Sequence, residues 1–555
     1  MSVDLIVTNA KVLTMDEARP RAEAVACAAG RIVAVGGAAE IAALAGLGCR
    51  VIDAGGRTLL PGFVESHMHL LLGGAEIMQL HIHGLHGLEN LKAAVAAYRA
   101  KNPDLPLIMA QGAEWGMLGH EMTRHDLDKV CPDLPLALWA PDHHTVWANT
   151  IALEKAGILY GAKTDPGHII VMGPDGTATG ELREFGAYER VIGLGGAGRI
   201  HISIATGEEP TPEPTPEERA ADMAVFAAGL AHCAAHGITT IINMDGNRYQ
   251  LSLLDEMRRN GQLTARVKIP FHFKPHMDLS ALDRAEAMTR DYNDEWLSSG
   301  FVKMFIDGVL DSHTALMVDD YPNSPGDRGQ PLFDLDRYMA ICAEIDRRGL
   351  QIAVHSIGDG AVRATLDGYE TALRANGRRD SRHRVEHVEV INRADIPRFA
   401  ELGVTASVQP SHPPGLMGFP AEPTLSEHIG KDRWRDAYLW KTLVDAGAPI
   451  AYASDWPVTD VSVMRSLQAS QTRAPYDGAV DERLSLMDSL YAYTAGGAWA
   501  AHMEDLVGRL KPGMAADLVL IDGDIEGVSP ADLGQTGIAL TICEGRITHQ
   551  ARGFG

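Results

Sequence analysis

Residues 61–70 read PGFVESHMHL. A Pro-Gly turn introduces a short apolar run that closes on two histidines one residue apart. Successive residues of a β-strand point to opposite faces, so His67 and His69 at a strand end aim two imidazoles at one point. Such a pair can grip a metal ion. The spacing alone decides little: 23 histidines in 555 residues produce roughly one such pair by chance. His81 and His83 form a second pair, which reads as a surface or pocket feature. Only the first pair ends a buried apolar strand.

Working outward from this strand, the chain repeats one rhythm. Short, mostly β-branched runs alternate with helical stretches: 237–244, 266–273, 301–308, 351–358, 384–390, 405–412 and 449–456. Strand then helix, repeated, predicts parallel βαβ units. With the strand at 59–67 the set is sufficient for an α/β fold, a (β/α)8 barrel whose functional groups sit at the C-terminal ends of its strands. The first sixty residues and the last fifty alternate apolar and polar positions between glycines, the pattern of short antiparallel strands. Neither piece is large enough for its own core, so the two are expected to share one composite β-sandwich. The expected boundaries are 1–58 with 503–555 for the sandwich, 59–70 with 216–502 for the barrel, and 71–215 for an inserted capping subdomain after the first strand. The Pro- and Glu-rich stretch 207–219 reads as an exposed connector.

Further candidates stand at later strand ends: His355 in QIAVHS, His387 in RVEHVEV and Asp455 in PIAYASD. A lone strand histidine is more often a satisfied core residue. Several histidines and an aspartate at C-terminal strand ends of one barrel point jointly to a metal site. Lys303 lies among apolar residues on a central strand, where an unpaired ammonium is costly. One reading pairs it with Asp307 or Asp311. The other carboxylates the amine with CO₂, giving an anionic carbamate that bridges two cations. The residues alone leave these two open.

These motifs together resemble the amidohydrolase superfamily, and within it the amidohydrolase 3 (YtcJ-like) branch. The resemblance runs nearly end to end: PGFVESHMH, TRHDLDKVCPDLPLALWAPDHHTVWANTIAL, GPDGTATGELRE, VKMFIDGVLDSHTA, HSIGDGAV, RVEHVEV, ASDWPV and GRLKPGMAADLVLID. It implies a divalent metal centre, usually two Zn²⁺ (with Fe, Mn or Co as alternatives), and hydrolysis of amide-type C–N bonds such as those of N-formyl or N-acyl amines. By position, His67, His69 and Asp455 would hold one metal and His355 and His387 a second, with a carbamate on Lys303 bridging. Asp455 would serve as general base and acid toward a metal-activated hydroxide. His144 matches a histidine that contacts the substrate carbonyl, or else is structural. Two departures fall in the insertion: Ala113, Glu114 and Trp115 replace Gly-Trp-Asp, and Asp142-His143-His144 replaces Asp-Gly-His. Trp115, His143, His144 and Trp456 are the expected substrate-binding residues.

The rest of the sequence excludes alternatives. A net charge of −24 argues against a nucleic-acid partner. HEMTRH at 120–125 misses the zincin spacing by one residue, and there is no GxSxG elbow or P-loop. No run spans a bilayer, no signal peptide opens the chain, and six scattered cysteines form no framework, so a cytoplasmic protein is expected. A small-molecule substrate and a homodimer complete the expectation. The rivals are lactone or ester hydrolysis, decarboxylation, and a non-catalytic scaffold.

Overall fold

The computed structural model describes residues 2–141, 145–164, 168–195, 198–416, 428–476 and 478–554. Two compact units emerge, Met1–Leu70 with Leu230–Gly555, and Leu71–Gly229.

In the first unit the βα rhythm becomes two parallel sheets. One runs Leu297–Ser298, Arg266–Lys268, Ile238–Asn243, Phe63–Met68 in order of neighbours. The other runs Phe271–His272, Phe301–Phe305, Gln351–Ser356, Arg384–His387, Thr405–Val408, Ile450–Tyr452. The chain itself joins them, because Arg266–Lys268 leads through Pro270 into Phe271–His272 and Leu297–Ser298 leads through Gly300 into Phe301–Phe305. Pairing continues across both breaks, with Ile269 N donating to Ser298 O (2.9 Å) and Phe273 N to Lys303 O (3.0 Å). Just past the last strand, Asp455 N donates to His67 O (2.9 Å) while His69 N donates to Trp456 O (2.8 Å). The last strand is thereby tied to the first at the ends that carry the histidines and the aspartate.

These strands are buried through their length because both faces are covered. Every residue of Ile238–Asn243, Gln351–Ser356 and Phe63–Met68 is buried, as parallel sheets flanked by helices require. The helices between them start on polar caps: Asn247 accepts from Gln250 N (3.0 Å) and Asp334 from Arg337 N (3.0 Å). Each such cap stabilises its helix by about 1 kcal/mol.

The chain ends meet in a second layer. Thr58–Pro61 lies between Lys11–Leu13 and Leu518–Ile521 in a six-stranded sheet that Ile538–Cys543 and Arg546–Gln550 extend. A four-stranded sheet holds Arg31–Gly36, Ala24–Ala28, Val3–Thr8 and Ala45–Asp53. Their shared core draws on both termini, from Val7, Val12 and Val25 to Leu518, Leu540 and Ile542. Arg266, wholly buried, reaches Asp517 with Nε at 2.8 Å and fastens this layer to the parallel sheets.

The second unit has its own six-stranded mixed sheet, ordered Ile169–Met172, Ala178–Arg183, Thr145–Ala148, Leu136–Trp139, Ile108–Gln111, Leu80–His81. Asn149 caps the helix Thr150–Lys155 and also bridges Leu136 N, Cys131 O and Leu134 O. His81 and His83 are exposed there, as a surface pair. Among the described residues no helix is long and apolar enough to cross a membrane.

Candidate metal centre

His67 and His69 close the strand Phe63–Met68, and Asp455 follows Ile450–Tyr452, its hydrogen-bonded neighbour. Both imidazoles present Nε2 to the same Asp455 Oδ1, each at 3.3 Å. Ligand atoms of the three lie within 4.8 Å of one another, and all three residues are buried. Asp455 (φ 58°) and His387 (φ 76°) adopt left-handed backbone conformations, which are costly for residues with a Cβ and gather at functional sites.

The other strand-end residues converge on the same place. The ring of His387 lies 4.8 Å from that of His67 and 4.5 Å from that of His355, centroid to centroid. Lys303 is fully buried, its Nζ 4.7 Å from the centre of the Phe305 ring. Among the described residues Lys303 Nζ has no hydrogen-bond partner. Neither aspartate offered as its counter-ion reaches it. Asp307 accepts from Leu316 N, Ile357 N and Gly358 N, and the mostly exposed Asp311 faces His428. Burial pulls the Lys303 amine down to about 8, favouring the neutral nucleophile that carboxylation by CO₂ requires.

Electrostatics follow from this crowding. Burial would raise the Asp455 carboxyl, yet the neighbouring His67 and His69 hold it well below the usual carboxylate range. Burial drives His355 down to about 3, with Lys303 adding to the effect, and drives His387 well below its ordinary value with His355 as second cause. Both are therefore neutral bases with lone pairs available at physiological pH. These donors fit a divalent cation: imidazole and carboxylate groups converge, Asp455 Oδ1 and His412 Nε2 are buried without a hydrogen bond, and burial keeps the rings of His355 and His387 neutral.

Three of the four ligand-type histidines are steered by side-chain partners absent from the expectation. His67 Nδ1 meets Glu386 Oε2 at 2.7 Å, and Glu386 is itself held by Arg384 Nε at 2.8 Å. His387 Nδ1 meets Gln409 Oε1 at 3.0 Å, and His69 Nδ1 lies 3.3 Å from Asp245 Oδ1. Such outer partners fix the tautomer and would leave the other ring nitrogen free for a cation. His412 is a further addition: with His387 and Asp455 it forms a second convergent group, its Nδ1 3.4 Å from Glu389. Asp245 and His412 follow the strands Ile238–Asn243 and Thr405–Val408 by two and four residues, so the positional signal that marks Asp455 points to them as well.

The expected substrate-binding residues divide. Trp456 is buried, its ring 5.3 Å from that of His232. Trp115 belongs to the second unit, where it is 58% exposed and meets Trp147 edge-on at 5.3 Å. His143 and His144 lie outside the described residues.

Comparison with known proteins adds the following. The model of the "Amidohydrolase family" matches residues 50–549. Protein LONG AFTER FAR-RED 3 of Arabidopsis thaliana is 30% identical, over 93% of this chain and 87% of its own. N-substituted formamide deformylase of Arthrobacter pascens is 24% identical, over 99% of each. Among solved structures, an uncharacterized metal-dependent hydrolase from Pyrococcus horikoshii OT3 superposes with a TM-score of 0.75 at 22% identity, covering 98% of this chain and 100% of that one.

Proposed function

The chain belongs to the amidohydrolase family, and from that premise we propose that it is a metal-dependent hydrolase of non-peptide amide C–N bonds, taking N-formyl or N-acyl amines. The observation that carries this reading is the meeting of His67 and His69 on one oxygen of Asp455 in a buried site. We read the successive parallel strands, tied last to first, as a closed (β/α)8 barrel, flanked by a β-sandwich built from both termini. The strand-end placement of every candidate accords with that fold.

His67, His69 and Asp455 would hold one cation, zinc in our reading, and His355 and His387 a second, with a carboxylated Lys303 between them. A divalent cation at this place supplies Lewis acidity, lowering the pKa of water and polarising a carbonyl oxygen. The protein's own groups do the rest. Asp455, deprotonated by its setting, takes a proton from the attacking water. As the C–N bond breaks, it gives that proton to the leaving nitrogen. Glu386 and Gln409 keep the Nδ1 protons of His67 and His387 and so leave each Nε2 as a lone pair. Burial excludes bulk water and strengthens each of these interactions.

The test is a screen of N-formyl amines, N-acyl amines, ureas and lactones against the protein loaded with Zn²⁺, Mn²⁺ or Co²⁺. Release of amine from a formyl or acyl amine, lost at least a hundredfold in Asp455→Asn with metal content retained, is the expected outcome. Turnover of lactones alone, or an Asp455→Asn variant as active as wild type, would overturn the reading.

A further inference from the structure

The cluster around Asp455 depends on bringing the first parallel strand against the last, and the two are joined sparsely. Among the described residues, Phe63–Met68 pairs in register with Ile238–Asn243 alone, and Ile450–Tyr452 with Thr405–Val408 alone. Two backbone bonds cross between them, Asp455 N to His67 O and His69 N to Trp456 O. A buried side chain adds a third link. Glu65 Oε1 accepts from Ser454 N at 2.8 Å and, at the longer distance of 3.4 Å, from His67 N. One oxygen thus meets the backbone of a histidine on the first strand and of the residue just before the aspartate.

That oxygen holds a turn in an uncommon conformation. Asp455 sits at φ 58°, a left-handed position that a residue with a Cβ keeps only where its surroundings impose it. The turn is shaped from within: Ser454 Oγ accepts from Trp456 N (3.1 Å), Thr459 Oγ1 donates to Ser454 O, and Val458 N donates to Asp455 O (2.9 Å). None of these three bonds fixes the turn against the first strand. The Glu65 link does so immediately before Asp455, whose Oδ1 must stand 3.3 Å from two imidazole nitrogens at once.

For packing alone, Glu65 is a costly occupant. It is wholly buried, and its Oε2 has no hydrogen-bond partner. Leucine or methionine would fill the space without burying a polar atom. The acceptor on Oε1 is what they lack, and a carboxylate and a carboxylic acid both offer it.

We propose that Glu65 is a positioning residue: by receiving Ser454 N it sets Asp455 against His67 and His69, and so determines whether the three can share one cation. The inference rests on the metal centre proposed above. Glu65 acts through Asp455 and takes no part in the chemistry itself.

Hydrogen exchange of the metal-free full chain, read by mass spectrometry on peptides that contain Ser454, tests the link directly. Glu65→Gln, which keeps an acceptor oxygen, should exchange there as wild type does. Glu65→Leu should exchange about tenfold faster or more, while peptides containing Arg384–His387 stay protected. Glu65→Leu should also bind Co²⁺ about tenfold more weakly, with an altered visible spectrum, and Glu65→Gln should restore both. Neither reading uses a substrate, so both stand apart from the assignment of amide hydrolysis. A folded Glu65→Leu protein with wild-type exchange and cobalt binding would overturn the proposal. So would a Glu65→Gln protein as defective as Glu65→Leu. If Glu65→Leu does not fold, Glu65→Met, closer in shape, is read in its place; failure of both to fold would make Glu65 a support of the whole fold and overturn its role in positioning.

Discussion

Replacing Glu386 with glutamine isolates what an outer partner contributes to the central site. Glu386 is wholly buried and receives bonds from Arg384 Nε (2.8 Å) and Nη2 (3.2 Å), while one of its oxygens meets His67 Nδ1 at 2.7 Å. Burial works against the charge, yet Arg384 and His67 hold its carboxyl down to about 2, so it is an anion at every working pH. Glutamine keeps an acceptor for the His67 proton but removes the charge that makes Nε2 a strong donor. Loss of such a partner weakens metal binding by about 10–100-fold, or roughly 1.4–2.7 kcal/mol. Arg384, 1% exposed, is then left without its countercharge. Breaking a buried pair costs about 3–5 kcal/mol, and the retained acceptor places this case at the lower end. Competition with a chromogenic chelator measures the first quantity, and thermal unfolding of the metal-free protein the second. A folded Glu386→Gln protein that holds its metal as tightly as wild type would show that Glu386 only packs the core.

Two further outcomes follow from the same structure. Supplied with ¹³C-bicarbonate, wild type should show a carbamate carbonyl resonance that Lys303→Ala lacks; identical spectra would leave Lys303 a plain buried amine. Asp346, 4% exposed, accepts from Asn376 Nδ2 (2.8 Å) and faces His383 Nε2 at 3.2 Å; although burial opposes it, these partners lower its carboxyl from 3.8 to about 2. The folded value lies below the unfolded one, so this contribution is complete above pH 4 and is lost as pH falls toward 2. It amounts to about 2 kcal/mol, and the acid-induced fall in melting temperature should be correspondingly shallower in Asp346→Asn.

The parallel strands were legible because a strand covered on both faces is rich in apolar, β-branched residues, and runs such as GITTIINM and QIAVHSIG carry that mark. His67, His69 and Asp455 were legible because they interrupt such runs at their ends. The same logic extends to Asp245 and His412, which interrupt their runs one or a few residues later. Glu386, Gln409 and Arg384 were not marked, since a polar residue inside a strand takes its meaning from the neighbour it meets: Glu386 and His67 are 319 positions apart. Lys303 shows the limit most clearly. Its burial was visible in FVKMFIDG, but that both Asp307 and Asp311 are engaged elsewhere is a matter of folding.

The strand Thr58–Pro61 has one more consequence, in time. It runs through Gly62 directly into the strand that bears His67 and His69, and its neighbour on one side, Leu518–Ile521, is made some 450 residues later. At ribosomal rates of about 5–20 residues per second, the nascent chain waits roughly 20 to 90 s before that neighbour exists. The first two histidines of the site are thus written early and anchored late. That strand is without this neighbour in the interval, and a stop codon near the 3′ end of the message would unsettle a site encoded far upstream of it.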